Sequence, residues 1–105
     1  MRAILLSAIL LGGCATTPAG LAKTNVERTV TSEKSSADFA TCAAEHFSGD
    51  VSLRSSGDHY WILISIHDYP RYRWDFRPSG AGSIAEGRST GLTGGGTPKA
   101  IRNCA

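Results

Sequence analysis

Apolar side chains recur every three or four positions in the stretch 39–47, which places them on one face of a helix. Ser35 or Ser36 can cap this helix, because Asp38 follows three residues after Ser35 as in a capping box. Gly49 comes just after the last apolar position and marks the end of the helix. The predicted inward face consists of Phe39, Cys42, Ala43, His46 and Phe47.

The next three segments alternate apolar and polar residues with a period of two, which is typical of strands with one buried face. Their apolar positions are Val51 and Leu53, then Tyr60, Ile62, Ile64 and Ile66, then Tyr72, Trp74 and Phe76. Paired residues of antiparallel strands lie on the same face, so the parity of these positions restricts the turns. An even loop at Ser56-Gly57 and an odd loop at Asp68-Tyr69-Pro70 satisfy that parity. The resulting register places His67 opposite Arg71, Ser65 opposite Arg73, Leu63 opposite Asp75 and Trp61 opposite Arg77.

The last third of the chain supplies one more strand and a short helical end. Residues 83–88 form a plausible fourth strand, and a glycine-rich loop follows. Thr97 and Pro98 can start a helical turn, with Pro98 at its first position. We therefore predict an α+β fold, in which an N-terminal helix packs on a four-stranded antiparallel meander and a short helical turn ends the chain.

The first 35 residues follow a different pattern. After Met1-Arg2, residues 3–11 are apolar apart from Ser7, a run too short for a membrane-spanning helix, which needs about 20 residues. The run has the proportions of a secretory signal core. Residues 15–35 are rich in Thr and Ser and poor in large apolar groups, which predicts a flexible tether. Within that tether, the weak alternation at 26–30 is also compatible with a short edge strand.

The apolar core of the signal ends in Leu11-Gly12-Gly13-Cys14. These residues resemble the lipobox of bacterial lipoproteins, in which an aliphatic residue and two small residues precede an invariant cysteine. Leu11 and Gly13 match the consensus, and Gly12 is a less common choice. The resemblance implies that the Cys14 thiol receives a diacylglycerol, that the peptide before it is cleaved, and that the new amino terminus is acylated, commonly with palmitate. The alternative is an ordinary signal peptide with a coincidental cysteine.

The resemblance to the small lipoproteins of Gram-negative envelopes also implies an organisation and a location. The signal peptide is 1–13, the lipidated flexible tether is 14–35, and the envelope domain is 36–105. Ala15 stands where an aspartate tends to retain such proteins at the inner membrane. The expected location is therefore the outer membrane, with the domain facing the periplasm.

A lipid on Cys14 leaves two of the three cysteines, Cys42 and Cys104. An oxidising envelope compartment would join them into one disulfide, which would tie the C-terminal helical turn back to the helix. The alternative is that both are separate buried thiols, because sequence does not measure their separation.

Charge and motifs exclude more than they assign. Cleavage before Cys14 removes one basic residue, Arg2, which leaves ten basic side chains against nine acidic ones and no reason to propose nucleic acid as a partner. Gly91 and Gly96 have the outer spacing of a phosphate loop, but its lysine and hydroxyl residue do not follow. His59 and His67 are eight strand residues apart, roughly 26 Å, so they cannot share a metal. We expect no metal, no cofactor and no catalytic site, and His46 to be a hydrogen-bonded histidine at the edge of the core.

The polar side of the predicted sheet is the most informative surface. Trp61 opposite Arg77 would form a cation-π pair of about 0.5 to 1 kcal/mol if exposed. The candidate binding surface consists of Trp61, Leu63, Arg71, Arg73 and Arg77, and its chemistry suits an anionic glycan, a lipid head group or another envelope protein. The alternatives are a solvated strand face without a partner and a face covered by the tether.

These observations predict a lipid-anchored, non-enzymatic envelope module with a binding or structural role. The alternative is an inhibitor of, or accessory to, a cell-wall enzyme. A hydrolase is disfavoured, because no Ser-His-Asp or Cys-His arrangement can be argued from the residues.

Overall fold

The computed structural model describes residues 18–89 and 97–105. The predicted signal peptide 1–13, the predicted lipidation site Cys14 and most of the glycine-rich loop (90–96) lie outside these residues. Within the described part, no helix has the length and apolar character needed to cross a membrane.

The described chain is built around one antiparallel sheet. A short helix, α1 (Pro18–Leu21), precedes strand β1 (Arg28–Ser32) and helix α2 (Ser36–His46). The remaining elements are β2 (Asp50–Ser56), β3 (His59–Ile66), β4 (Tyr69–Ser79), β5 (Gly82–Ser89) and α3 (Lys99–Cys104). The strands lie in the order β1-β5-β4-β3-β2, and every neighbouring pair is antiparallel.

The predicted fold class, an N-terminal helix on a four-stranded meander, is wrong. The sheet has five strands, and one of them precedes the long helix. This strand, β1, pairs with β5 from Arg28 opposite Gly87 to Ser32 opposite Ser83. It is an edge strand held by backbone hydrogen bonds, and most of its side chains are exposed, so it leaves little trace in the hydropathy pattern. The weak alternation at 26–30 was its signal, and the folded unit begins before residue 36.

Helix α2 covers one face of the sheet, which we call the inner face. The Ser35 hydroxyl accepts a hydrogen bond from the Asp38 N–H at 3.1 Å, so the helix begins at its predicted cap. Phe39, Ala40 and Ala43 of α2 are fully buried. They share one apolar cluster with strand residues that alternate onto the inner face, namely Ile62, Ile64, Trp74, Phe76 and Ala85. The core therefore lies between α2 and the three central strands.

The hairpins keep the predicted parity but not the predicted pairs. Strands β2 and β3 are joined by Gly57 and Asp58, and β3 and β4 by His67 and Asp68. The pairing of β3 with β4 then skips Arg71, which is the extra residue of a β-bulge. The two turn residues and the one bulged residue make three unpaired residues, an odd number, as the predicted parity requires. The predicted pairs were wrong by two positions, since Leu63 lies opposite Arg73 and Trp61 lies opposite Asp75.

A disulfide joins Cys42 of α2 to Cys104 of α3, with the two Cα atoms 5.8 Å apart. The predicted bridge is thus confirmed, and the alternative of two separate thiols does not hold. Helix α3 has only six residues, but Ile101 is fully buried in the same core. The bridge closes a sequence separation of 62 residues, for which the chain-entropy model gives a stabilisation of about 4 kcal/mol.

Candidate functional site

The second face of the sheet, the outer face, carries most of the charged side chains of the strands. Alternation along each strand turns toward it the residues between those that line the core. Across the sheet, Arg54 lies opposite Trp61, Trp61 opposite Asp75, and Asp75 opposite Glu86. The other outer-face residues used below are His59, Leu63, Arg73, Arg77 and Arg88.

Asp75 is the centre of a charged cluster on β4, although its side chain is only 1% exposed. Arg73 donates to both carboxylate oxygens, from Nε at 3.0 Å to each and from Nη2 to Oδ1 at 2.8 Å. Arg88 donates from Nη1 to Oδ2, and His59 Nε2 contacts Oδ1, both at 2.8 Å. We call these four residues the Asp75 network. A single carboxylate thus neutralises part of the charge of two guanidinium groups and anchors three strands to one another.

The network keeps this carboxylate ionised. Burial raises the pKa of Asp75, but hydrogen bonds from Arg73 and His59 and the charges of Arg73 and Arg88 outweigh it. The pKa is held below its ordinary value of 3.8. Asp75 therefore remains negatively charged at neutral pH and is a poor proton acceptor for the imidazole beside it.

Trp61 borders the network on the neighbouring strand. The guanidinium carbon of Arg73 lies 5.0 Å from its ring centre, which is a cation-π distance. The imidazole of His59 lies 5.1 Å from Trp61 between ring centres and is tilted by 44°. The predicted Trp61–Arg77 pair is therefore wrong, because the register places Asp75 opposite Trp61, and the Trp61 ring contacts Arg73 instead.

The chain before β1 approaches part of the outer face. Helix α1 contacts β4, and Leu21 is completely buried. The Nε of Arg88 donates to the Thr24 carbonyl at 3.0 Å, and the Glu27 N–H donates to the Gly87 carbonyl at 2.7 Å. The alternative of a face covered by the N-terminal segment thus applies to the β4–β5 region, whereas the β2–β3 region lies further from these contacts.

The structure gives the five residues of the predicted binding surface different surroundings. Arg73 is buried and committed to Asp75, and Arg77 is exposed but paired with Glu86. Trp61 and Leu63 are half-buried neighbours of the open β2 edge. Arg71 is half-buried in the bulge, and its Nε is the one buried side-chain nitrogen or oxygen in residues 18–89 and 97–105 without a hydrogen-bond partner.

Sequence reasoning named Arg73 but missed its partner Asp75 and three other residues of the candidate site. Arg73 and Asp75 are two residues apart on one strand, so their pairing could have been read from alternation alone. His59 and Arg88 come from the two neighbouring strands and depend on the register, as does Arg54 beside Trp61. Only a correct register reveals those three.

A second cluster lies at the other side of the fold, where α2 meets α3. His46 is exposed, and its Nδ1 lies 2.8 Å from the Cys42 carbonyl oxygen. Together with Cys42 and Cys104 it forms a group whose metal-ligating atoms all lie within 4.8 Å of one another. His46 is therefore hydrogen-bonded as predicted, but at the surface and beside the disulfide.

Comparisons of this chain with protein-family models, with curated proteins and with solved structures found no match. The function is therefore inferred from the residues of this chain and their geometry.

Proposed function

We propose that this protein is a lipid-anchored module of the bacterial envelope that acts without catalysis, by binding an acidic partner protein. The partner contacts the open part of the outer face, which we define as Arg54, Trp61, Leu63 and Arg77. Cys14 carries the lipid, and the domain faces the periplasm from the outer membrane. The similarity of Leu11-Gly12-Gly13-Cys14 to a lipobox supports this location.

The observation that carries the binding proposal is the placement of Arg54. It is exposed on the edge strand β2, directly opposite Trp61, and forms no ion pair within the described residues. Tryptophan and arginine are enriched among the residues that dominate the binding energy at protein interfaces. Arg54, Trp61 and Leu63 lie side by side on the face of two neighbouring strands, and such a surface suits a protein partner, whereas small ligands bind in concave sites.

The electrostatic arrangement favours an acidic partner. On the outer face, Arg54 is exposed without an ion pair among the described residues, whereas Arg77 is paired with Glu86. Asp75, which the network surrounds, is buried, so its negative charge lies away from the surface that a partner meets. Steering by Arg54 would raise the association rate at low salt and would fade as ionic strength rises.

The geometry also favours binding over catalysis. His59 and Asp75 form a hydrogen-bonded pair, which in a hydrolase would orient the general base. Here two guanidinium groups already bind that carboxylate, and its pKa is lowered. The pair therefore serves better as a structural contact between β3 and β4.

The β3–β4 hairpin favours the second candidate, an inhibitor of or accessory to a cell-wall enzyme. Its turn residues His67 and Asp68 both have positive φ, and Ile66 and Tyr69 beside them are 42% and 59% exposed. An exposed apolar hairpin end is suited to fill a cleft of an enzyme. A Tyr69→Ala variant that loses inhibition of an envelope hydrolase, while Arg54→Glu keeps it, would favour this candidate.

The anchor is tested by expressing the full chain with and without Cys14→Ser and following both proteins in membrane fractions. We expect palmitate labelling and membrane retention for the wild type and neither for the variant. A variant that still labels and sediments with the membrane would refute lipidation at Cys14.

The binding surface is tested by cross-linking the full lipoprotein in native membranes. Arg54→Glu reverses the charge on the open outer face. Arg102 is exposed on α3, so Arg102→Glu makes the same change elsewhere on the surface and is the matched control. We expect one cross-linked protein that Arg54→Glu loses, that Arg102→Glu keeps, and whose yield falls with salt. A product that disappears after muramidase digestion would identify a glycan instead, and identical products from both variants would refute the surface.

A further inference from the structure

The Cys42–Cys104 disulfide lies beside the exposed His46. Cys42 and His46 are four residues apart on α2, so both side chains lie on one face of the helix, and α3 brings Cys104 to the same place. The Nδ1 of His46 is 3.8 Å from the Sγ of Cys42 and 3.7 Å from the Sγ of Cys104. His46 is exposed, Cys42 is half-buried and Cys104 is buried, so the cluster opens to solvent on the imidazole side.

We infer that, once the Cys42–Cys104 disulfide is reduced, Cys42, His46 and Cys104 bind one thiophilic divalent cation of the Zn²⁺ type. Tetrahedral zinc has Zn–S distances of about 2.3 Å and Zn–N distances of about 2.0 to 2.1 Å, which places a nitrogen about 3.6 Å from each ligating sulfur. His46 already satisfies this separation to both sulfurs to within a few tenths of an ångström.

Only the two sulfurs must move. In the same tetrahedron they are about 3.8 Å apart, so they must separate from covalent contact after the bond breaks. Helix α3 has only six residues and ends at Cys104. Because the helix is short, a small displacement of α3 is sufficient to open the site.

The chemistry balances with a dithiol as the reductant. Two electrons and two protons from the dithiol break the sulfur–sulfur bond and leave two cysteine thiols, while the dithiol becomes a disulfide. Binding of the cation then releases both thiol protons to solvent and forms two metal–thiolate bonds. The imidazole is the third ligand, and water fills the fourth position.

The surroundings of the cluster support thiolate and imidazole ligation. The Nδ1 of His46 contacts the Cys42 carbonyl, and it becomes a ligand when its proton is carried on Nε2 instead. That carbonyl lies within α2, where the main-chain N–H four residues later remains its partner. Lys34 donates from Nζ to the Cys104 carbonyl at 2.7 Å, which helps to hold the main chain of Cys104 in place beside α2.

This site is independent of the proposed binding surface, which is formed by β2, β3 and β4. In the oxidised protein, the Cys42–Cys104 disulfide joins α3 to α2. In the reduced protein, the cation bound by Cys42, His46 and Cys104 joins them instead. The redox state therefore determines which of the two links holds α3 on α2.

The test uses the full chain carrying Cys14→Ser, so that only Cys42 and Cys104 supply thiols. The protein is titrated with Co²⁺, a spectroscopic substitute for Zn²⁺, in its oxidised form and in its reduced form. The reduced form is prepared with a dithiol, which is then removed by buffer exchange under argon. We expect one equivalent of Co²⁺ with thiolate-to-cobalt absorption in the reduced protein and none in the oxidised protein. Equal binding by both forms would overturn the proposal.

The histidine is tested by His46→Asn, with His67→Asn in the exposed β3–β4 turn as the matched control. We expect His46→Asn to weaken Co²⁺ binding by more than the roughly 10- to 100-fold loss that changing a residue behind a metal ligand causes, and His67→Asn to leave it unchanged. Equal affinity of the two variants would show that the thiols bind the cation without the site, as in an unfolded chain, and would also overturn the proposal.

Discussion

Replacing Asp75 with Asn tests the Asp75 network directly. The substitution keeps the size and shape of the side chain, but it removes the charge and turns one carboxylate oxygen into an amide group. Arg88 Nη1 and the three contacts of Arg73 then share a single acceptor oxygen. At least one guanidinium N–H group must face another donor.

The expected cost follows from the burial of the groups involved. The side chains of Arg73 and Arg88 are only 10% and 14% exposed, and Asp75 is 1% exposed, so both pairs count as buried. Removing one partner of a buried ion pair costs about 3 to 5 kcal/mol, because the remaining charge is left without compensation. A domain of this size has a free energy of unfolding of about 5 to 15 kcal/mol, so the variant would lose a large fraction of its stability.

The assay is urea unfolding of wild type and Asp75→Asn, followed by tryptophan fluorescence at several pH values. The lowered pKa of Asp75 means that its stabilisation is present above the pKa of the unfolded chain, about 3.9, and is lost as pH falls through the folded pKa. The difference between the two proteins should therefore be full near neutral pH and shrink below about pH 4.

Arg77→Gln is the control, because Arg77 lies on β4 like Asp75 and the substitution breaks its ion pair with Glu86 of β5. Those side chains are 44% and 26% exposed, so the loss should be about 0 to 1 kcal/mol. If Asp75→Asn costs no more than Arg77→Gln, or if the difference is independent of pH, the network does not stabilise the fold and the reasoning fails.

Three further predictions concern the fold. Gly87→Ala should lower the free energy of unfolding by about 1 to 3 kcal/mol in urea titrations, because a Cβ there would lie 2.7 Å from the buried ring of Trp74. Asp68→Gly should raise the midpoint of thermal unfolding, since Asp68 has a φ of 68° in a two-residue turn that favours glycine; a lower midpoint would contradict this. Cys42→Ser combined with Cys104→Ser should lose up to about 4 kcal/mol by urea unfolding, and no loss would show that the bridge does not constrain the chain.

The parts of the fold that were predictable rest on local pattern. Helix α2 begins at its cap because Ser35 and Asp38 are close in sequence, and the inner faces of β3 and β4 follow from period-two alternation. Strand β1 was considered only as a short edge strand at 26–30 and was left out of the predicted fold, because an edge strand is held largely by backbone hydrogen bonds and leaves a weak side-chain pattern. The disulfide was expected from the cysteine count, and the structure shows its geometry.

The candidate site shows where sequence reasoning ends. Alternation identified Trp61, Arg73 and Arg77 as outer-face residues, but the wrong pairs followed from a two-position error that parity does not detect. That error decides whether Trp61 meets Arg77 or Arg73.

The sequence by itself determined the lipobox-like segment at Cys14, the helix α2, and which strand residues face the core, because each depends on residues that are near neighbours. Only the tertiary structure decided that His59 and Arg88 reach Asp75, that the segment before β1 reaches Arg88, and that Cys104 lies beside His46. These contacts join residues far apart in the chain. Their partners depend on a bulge, a turn and the path of the N-terminal segment, and the apolar and polar pattern of a single strand does not determine any of these.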